Sequence, residues 1–185
     1  ITGKTLKTDS DTPYSGSHAW NLVKLDGHWY HVDVTWDDPV LSGNSFNKAY
    51  VDHDNFLRND SGIRSTGHTA WNEPARYFSS NSRFEEYFWQ NVQNFPIPCR
   101  DGRAYAVVAK DKALKEYALA TGQGKTLVTI DDTWYVWGKD NSYWQGVFSC
   151  CQLYRGLLLY NTSKELYLYD GNAGRKCNVE LPTQK

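Results

Sequence analysis

The stretch His18-Ala-Trp-Asn-Leu-Val-Lys-Leu-Asp26-Gly27-His-Trp-Tyr-His-Val-Asp33-Val-Thr-Trp-Asp-Asp-Pro39 places two alternating runs on either side of an Asp-Gly pair. Asp-Gly in that setting is a strong hairpin signal, because a type I′ turn needs positive φ at both central residues. With Asp26-Gly27 as the loop, Leu25 opposes His28, Trp20 opposes Asp33 and His18 opposes Thr35. His18 and Asp33 then share a face one diagonal step apart, with Cβ atoms about 7–8 Å from each other or somewhat less. An imidazole held by a carboxylate is the base-and-orienter half of a nucleophilic triad. Trp20, Leu22, Trp29, His31 and Thr35 fall on that same face. Ala19, Asn21, Val23, Tyr30, Val32, Val34 and Trp36 fall on the other. Both faces are largely apolar, so the hairpin is expected to be covered on both sides. Trp20, opposite Asp33, reads as a core residue or a wall of the site, placed to shield it from water.

Outward from this hairpin, residues 1–16 are rich in Thr, Asp, Ser and Gly and read as a strand end followed by a polar surface loop. Asp37-Asp38-Pro39 ends the second strand, since Pro cannot donate to a ladder. A Ser/Gly/Asn loop is expected at 40–48 and a further strand region at 49–57. Residues 74–98 read as a connector between Pro74 and Pro98. Within it Phe84, Tyr87 and Phe88 make one apolar stripe on a helical turn across 83–89. From residue 103 the pattern becomes repeated short strands, at 104–109, 127–130, 133–137, 145–149, 156–160 and 165–169. Turn clusters at 139–142, 161–164 and 170–174 separate several of them. Residues 106–119 and 157–170 look alike, each a strand, a polar turn and a strand, which is the texture of hairpin repeats. The expected fold class is α+β, mostly antiparallel β, with one domain at 1–95 and a β-rich domain at 99–185.

The motif H-A-W-N-x-V-K-x-D-G-x-W-Y-H-V-D-V-T-W-D-D-P resembles the His-and-Asp segment of the bacterial transglutaminase-like superfamily. The likeness is dense over residues 17–39 and continues more sparsely to about residue 73, taking in Gly67-His-Thr-Ala-Trp71, which is similar to a G-H-x-x-W stretch near that family's domain end. The resemblance implies a papain-like site, with a Cys at a helix start and a His and an Asp on adjacent strands. It implies His18 as general base and Asp33 as its orienter, and it treats His68 as structural. The family's Cys lies upstream of the His, and no Cys precedes His18 here. The chain starts Ile-Thr-Gly, without a secretory leader, and contains no Met. It is therefore expected to begin inside a domain, after the Cys-bearing helix.

Composition bounds the partners. A net charge of −1 over 185 residues offers no basic surface for nucleic acid. No apolar run reaches the roughly 20 residues of a membrane span. The four Cys, at 99, 150, 151 and 177, lack metal-ligand spacing, while their even number permits disulfides. Cys150 and Cys151 sit in a β-like run, so they point to opposite faces. Cys99 follows Pro-Ile-Pro instead of opening a helix and does not read as a nucleophile. His28 and His31 are three apart on a strand and face opposite sides, which argues against a metal site with Asp33. No cofactor is expected. Gly122-Gln-Gly-Lys-Thr126 has Leu119 where a phosphate loop needs its first Gly, and reads as a hairpin loop.

The resemblance implies a cysteine acyltransferase or peptidase acting on peptide or glutamine-type amides, with a peptide or protein substrate and an extracellular or cell-surface location. In that reading His18 and Asp33 are the part of the triad carried here, and these residues alone do not complete it. A different class remains open: a non-catalytic cell-surface binding or structural module. Its β-domain would contact peptide or glycan through some of the eight Trp and thirteen Tyr.

Overall fold

The structure, a computed structural model, describes residues 1–9, 12–38, 51–71, 75–92, 96–132, 136–137, 146–147, 149–162 and 165–177. They form an α+β fold that is mostly antiparallel β; the described residues fall into two compact units, those up to residue 90 and those from residue 91 on. No helix among the described residues is long and apolar enough to cross a membrane.

In chain order the first unit contains β1 (Thr2–Asp9), β2 (Thr12–Ala19), β3 (Asn21–Leu25), β4 (His28–Val32), α1 (Val34–Asp37), β5 (Phe56–Arg58), α2 (Asp60–Ser65) and β6 (His68–Thr69). Two three-stranded sheets result, ordered β2-β1-β6 and β3-β4-β5. The turn between β3 and β4 has Asp26 at φ 48° and Gly27 at φ 82°, and Leu25 pairs with His28. These are the positive φ values that the Asp-Gly pair predicts.

The pairing predicted beyond Asn21 is not made. β3 begins at Asn21, opposite Val32, and the preceding strand β2 pairs with β1 in the other sheet. The change of sheet falls at Trp20, whose backbone N–H and C=O bond Ile1 at 3.1 and 3.0 Å. Residues 2–9 and 12–19 therefore form a second hairpin, registered from Thr2↔Ala19 to Asp9↔Thr12, where a polar loop is expected. The Thr residues there suit a pleated strand.

Val34-Thr-Trp-Asp37, expected to extend a strand, is one turn of helix. Asp33 takes its N-cap with φ −114° and ψ 90°, and its side chain accepts the N–H groups of Thr35 and Trp36. That cap outweighs the β preference of Val34 and Thr35. Of the strand region expected at 49–57, residues 49–50 lie outside the described residues, 51–55 are not strand, with a turn at 54–55, and the strand runs Phe56–Arg58. α2, capped by Asn59 Oδ1 on the Gly62 N–H at 2.8 Å, is unforeseen.

Much of the expected connector belongs to the core of the first unit. Phe84, Tyr87, Phe88 and Trp89 are all buried. Phe84 meets Tyr30 of β4 at 5.0 Å between ring centroids, and Trp89 meets Phe56 of β5 at 5.4 Å. Residues 83–86 are turns and a 3-10 helix runs Phe88–Asn91, so the aromatic stripe packs without a regular α-helix.

The second unit contains β7 (Cys99–Arg100), β8 (Arg103–Val108), β9 (Ala113–Ala118), β10 (Gly124–Thr129), β11 (Val136–Trp137), β12 (Gly146–Val147), β13 (Cys151–Tyr154), β14 (Leu157–Asn161), β15 (Leu166–Tyr169) and β16 (Gly174–Lys176). β7–β10 and β13–β16 make two four-stranded antiparallel meanders, and β11 pairs with β12. The two look-alike stretches supply the inner strands β8–β9 and β14–β15. Tyr105, Val107 and Leu114 of one sheet share a buried cluster with Cys151, Leu158 and Tyr160 of the other. Residues 119–123, which include Gly122-Gln123, connect β9 to β10 as a hairpin, and Gly124 opens β10. All four cysteines are free, Cys151 buried and Cys150 partly exposed. The loop expected at 40–48, the turn at 139–142 and the opening of the connector at Glu73-Pro74 lie outside the described residues.

Candidate active site

Sheet geometry brings two imidazoles to one face. β1 is flanked by β2 and β6; His18 pairs with Gly3, and His68 pairs with Thr5 two residues further along. Alternate residues of a strand share a face, so His18 and His68 rise from the same side of this sheet. Asp33 reaches them from the end of β4. His18 Nε2 lies 2.5 Å from Asp33 Oδ2, and His68 Nε2 lies 2.7 Å from the same oxygen. Oδ1 accepts the helix-cap bonds from Thr35 N at 3.1 Å and Trp36 N at 3.2 Å. All four acceptor positions of the carboxylate are thus used.

Asp33 is 1% exposed. Burial alone pushes its pKa up, but the hydrogen bonds from His68, His18 and the Trp36 N–H, with the nearby His18 charge, hold it below the usual carboxylate range. An ionised carboxylate only accepts, so both Nε2 atoms carry protons. For neutral His18 the lone pair is then on Nδ1. Among the described residues nothing bonds Nδ1, and the side chain retains 16% exposure. His68 differs: it is fully buried, and its Nδ1 is 3.1 Å from Thr66 Oγ1. Of the two imidazoles on Asp33, only His18 can exchange a proton with a reacting group.

Trp20 does not pair with Asp33 on a ladder; it packs beside His18 and His68, and its polar end is committed elsewhere. Its Nε1–H donates to His31 Nδ1 at 2.8 Å, and His31 Nε2 donates to Asp60 Oδ1 at 2.9 Å. Indole only donates, so this chain places the His31 proton on Nε2. Burial lowers the His31 pKa against the pull of Asp60, which keeps the ring neutral. The indole meets His68 edge-on at 4.9 Å, stacks on His18 at 6.0 Å and abuts Trp71 at 5.6 Å. It covers one side of the pair, and its N–H, spent on His31, is not an oxyanion donor.

Gly3 makes room for it. A Cβ on Gly3 would stand 2.5 Å from the Trp20 ring and 2.8 Å from the Thr69 carbonyl oxygen. Gly3→Ala is expected to destabilise the chain by about 1–3 kcal/mol in urea unfolding, the range for overpacking, and to alter Trp fluorescence. An unchanged midpoint would mean that Trp20 is not held against β1.

Asp37, at the end of α1, is a second buried carboxyl with different chemistry. Its Oδ1 accepts from Asn55 N and Asn55 Nδ2, each at 2.9 Å. Burial pushes its pKa to about 7, with Asp52 and Asp54 adding to the rise against the Asn55 bonds. The folded value lies above the unfolded one, so the folded state binds this proton more tightly. The resulting stability is complete below about pH 4 and is lost as pH rises toward 7, an effect of roughly 3–4 kcal/mol. Thermal melts are expected to fall across that window. Asp37→Asn should flatten this part of the profile; a slope that survives it belongs to another group.

His18, Asp33 and His68 are also the one metal-ligand grouping among the described residues, with ligand atoms within 4.8 Å of one another. Two imidazoles and a carboxylate suit a divalent transition metal. Tetrahedral ligands at about 2.0–2.2 Å from such an ion stand roughly 3.3 Å apart. The contacts of 2.5 and 2.7 Å to Asp33 are instead those of hydrogen bonds.

No family model, curated protein or solved structure matches this chain. The site therefore rests on its own geometry. Sequence reasoning singled out His18, Asp33 and Trp20, and the structure brings the three together. It treated His68 as structural and left out Thr66 and the His31–Asp60 pair. Gly67-His68 was visible as a motif, but its partner lies 35 residues away and no local spacing reveals it. Burial pushes the thiols of Cys99 and Cys150 up and that of Cys151 to about 12, so none of these three is primed as a thiolate.

Proposed function

We propose that residues 1–95 carry the base and orienter of a transglutaminase-like cysteine acyl-transfer site. The supporting observation is the His18–Asp33 pair: Nε2–H is held by an ionised carboxylate, and among the described residues nothing bonds Nδ1. In this reading a cysteine thiol supplied by the longer protein loses its proton to His18 Nδ1. The thiolate attacks a peptide or glutamine-type amide, and His18 returns the proton to the leaving amine. Water then releases the acyl group in hydrolysis, or a primary amine takes it in cross-linking. Asp33 keeps the ring in the tautomer that leaves Nδ1 basic and steadies the imidazolium. An extracellular or cell-surface location, with residues 99–185 as an accessory domain, belongs to the same proposal.

The longer protein should incorporate a fluorescent primary amine into a glutamine peptide, or cleave it, and iodoacetamide should block the reaction. A protein that does neither over a broad peptide panel sinks this reading. The cysteines favour a second one. None of the four lies in the first unit, and the site would then serve a binding or structural module. Saturable peptide or glycan binding that is indifferent to His18→Ala would support it.

A further inference from the structure

Resting on the base-and-orienter reading of His18 and Asp33, we propose that His68 is a positioning residue that sets the proton affinity of His18 through the carboxylate oxygen they share. A buried histidine that merely fills space needs partners for its nitrogens, and a backbone carbonyl would serve. His68 instead places Nε2 on Asp33 Oδ2, the same atom that holds His18. Its ring has little freedom to do otherwise. Thr66 Oγ1 engages Nδ1, the Trp20 edge lies at 4.9 Å between centroids, and Trp36 lies at 4.7 Å.

The consequence follows from the charge on that oxygen. A lone carboxylate in a dry setting strongly favours the imidazolium form of a bonded histidine. A base that is always protonated cannot accept a proton at working pH. A second N–H on Oδ2 draws off part of the negative charge that His18 would otherwise have to itself. A neutral His68 does this as a donor, and a cationic His68 adds like-charge repulsion. Both effects lower the proton affinity of His18. His68 also supports the ionised form of Asp33, so the orienter stays charged while the base titrates.

The test uses the 185-residue chain labelled with ¹⁵N-histidine, following the ring nitrogens through a pH titration by long-range ¹H–¹⁵N spectra. His68→Leu removes the donor and should raise the His18 proton affinity about tenfold. His68→Gln offers an N–H to the same oxygen and should keep His18 within about twofold of the unmodified chain. A purely structural role would lower the melting temperature in both variants and leave the His18 midpoint in place. That result in folded protein overturns the proposal, as does an equal shift in both variants. Should His68→Leu not fold, the unmodified chain decides: the His68 Nε2 signal should step at the His18 midpoint, while His31, tied to Asp60, should not. A His68 signal that stays flat there overturns the proposal. These readouts need neither nucleophile nor substrate. Absence of amide turnover in the longer protein therefore counts against the acyl-transfer reading alone, and an unshifted His18 counts against His68 alone.

Discussion

On the acyl-transfer proposal, His18→Ala is expected to lower amide turnover by roughly 10⁴-fold or more in an active protein that contains this chain, the scale seen when a triad base is removed, and to leave the fold in place. No neighbour can substitute. His68 is fully buried with both nitrogens engaged, and His31 is neutral and bonded between Trp20 and Asp60. The fold should tolerate the change because Asp33 keeps its two helix-cap bonds and its His68 donor. The loss should appear in kcat/KM for a glutamine peptide, with circular dichroism unchanged. Turnover at the unmodified level would show that His18 is not the base.

Asp33→Asn is the second large effect, and it acts through hydrogen polarity. The amide oxygen can take the Oδ1 position and preserve the cap on Thr35 and Trp36. Its NH₂ then faces two imidazole N–H groups where a carboxylate oxygen accepted both. His18 can relieve the conflict by moving its proton to Nδ1, which blocks the atom that should act as base. Turnover should drop by about 10⁴-fold, as expected when a base is locked in the wrong tautomer. The buried His68 N–H also loses its acceptor, at a cost of about 1–3 kcal/mol. The pH response should change as well. Asp33 titrates below its unfolded value when folded, so its contribution is present above about pH 4 and lost as pH falls through the folded pKa. That acid-side loss is opposite in sign to the behaviour of Asp37 and should be missing from Asp33→Asn. Full activity in a folded Asp33→Asn protein would refute the orienter role.

The hairpin around Asp26-Gly27 was legible because a two-residue turn dictates its register locally. The closeness of His18 and Asp33 was legible too, although the expected route to it was not. A continuous ladder to His18 and Thr35 was expected. Instead the chain leaves the sheet at Trp20, and Asp33 leaves the strand to cap α1. The two meet as a strand residue of one sheet and a helix cap beside the other. Alternation cannot report such a crossing, since both sheets impose the same period of two. The β1–β2 hairpin was hidden by a polar composition that suits loops as well as strands. A four-residue helix such as α1 is decided by one side chain, below the length at which periodicity speaks. His68 required tertiary knowledge, because its contact spans 35 residues.

The sheet crossing at Trp20 bears on when the His18–Asp33–His68 cluster can form. His18 and His68 belong to one sheet, Asp33 to the end of the other, at sequence separations of 15 and 35 residues. Contacts of that range close after local turns have formed, since loop closure costs entropy before the contact repays it. A nascent or partly unravelled chain therefore carries an imidazole with no fixed tautomer. The tautomer that Asp33 imposes on His18 is thus a property of the docked sheets and not of either hairpin alone, and it should be lost with the first sheet to unravel.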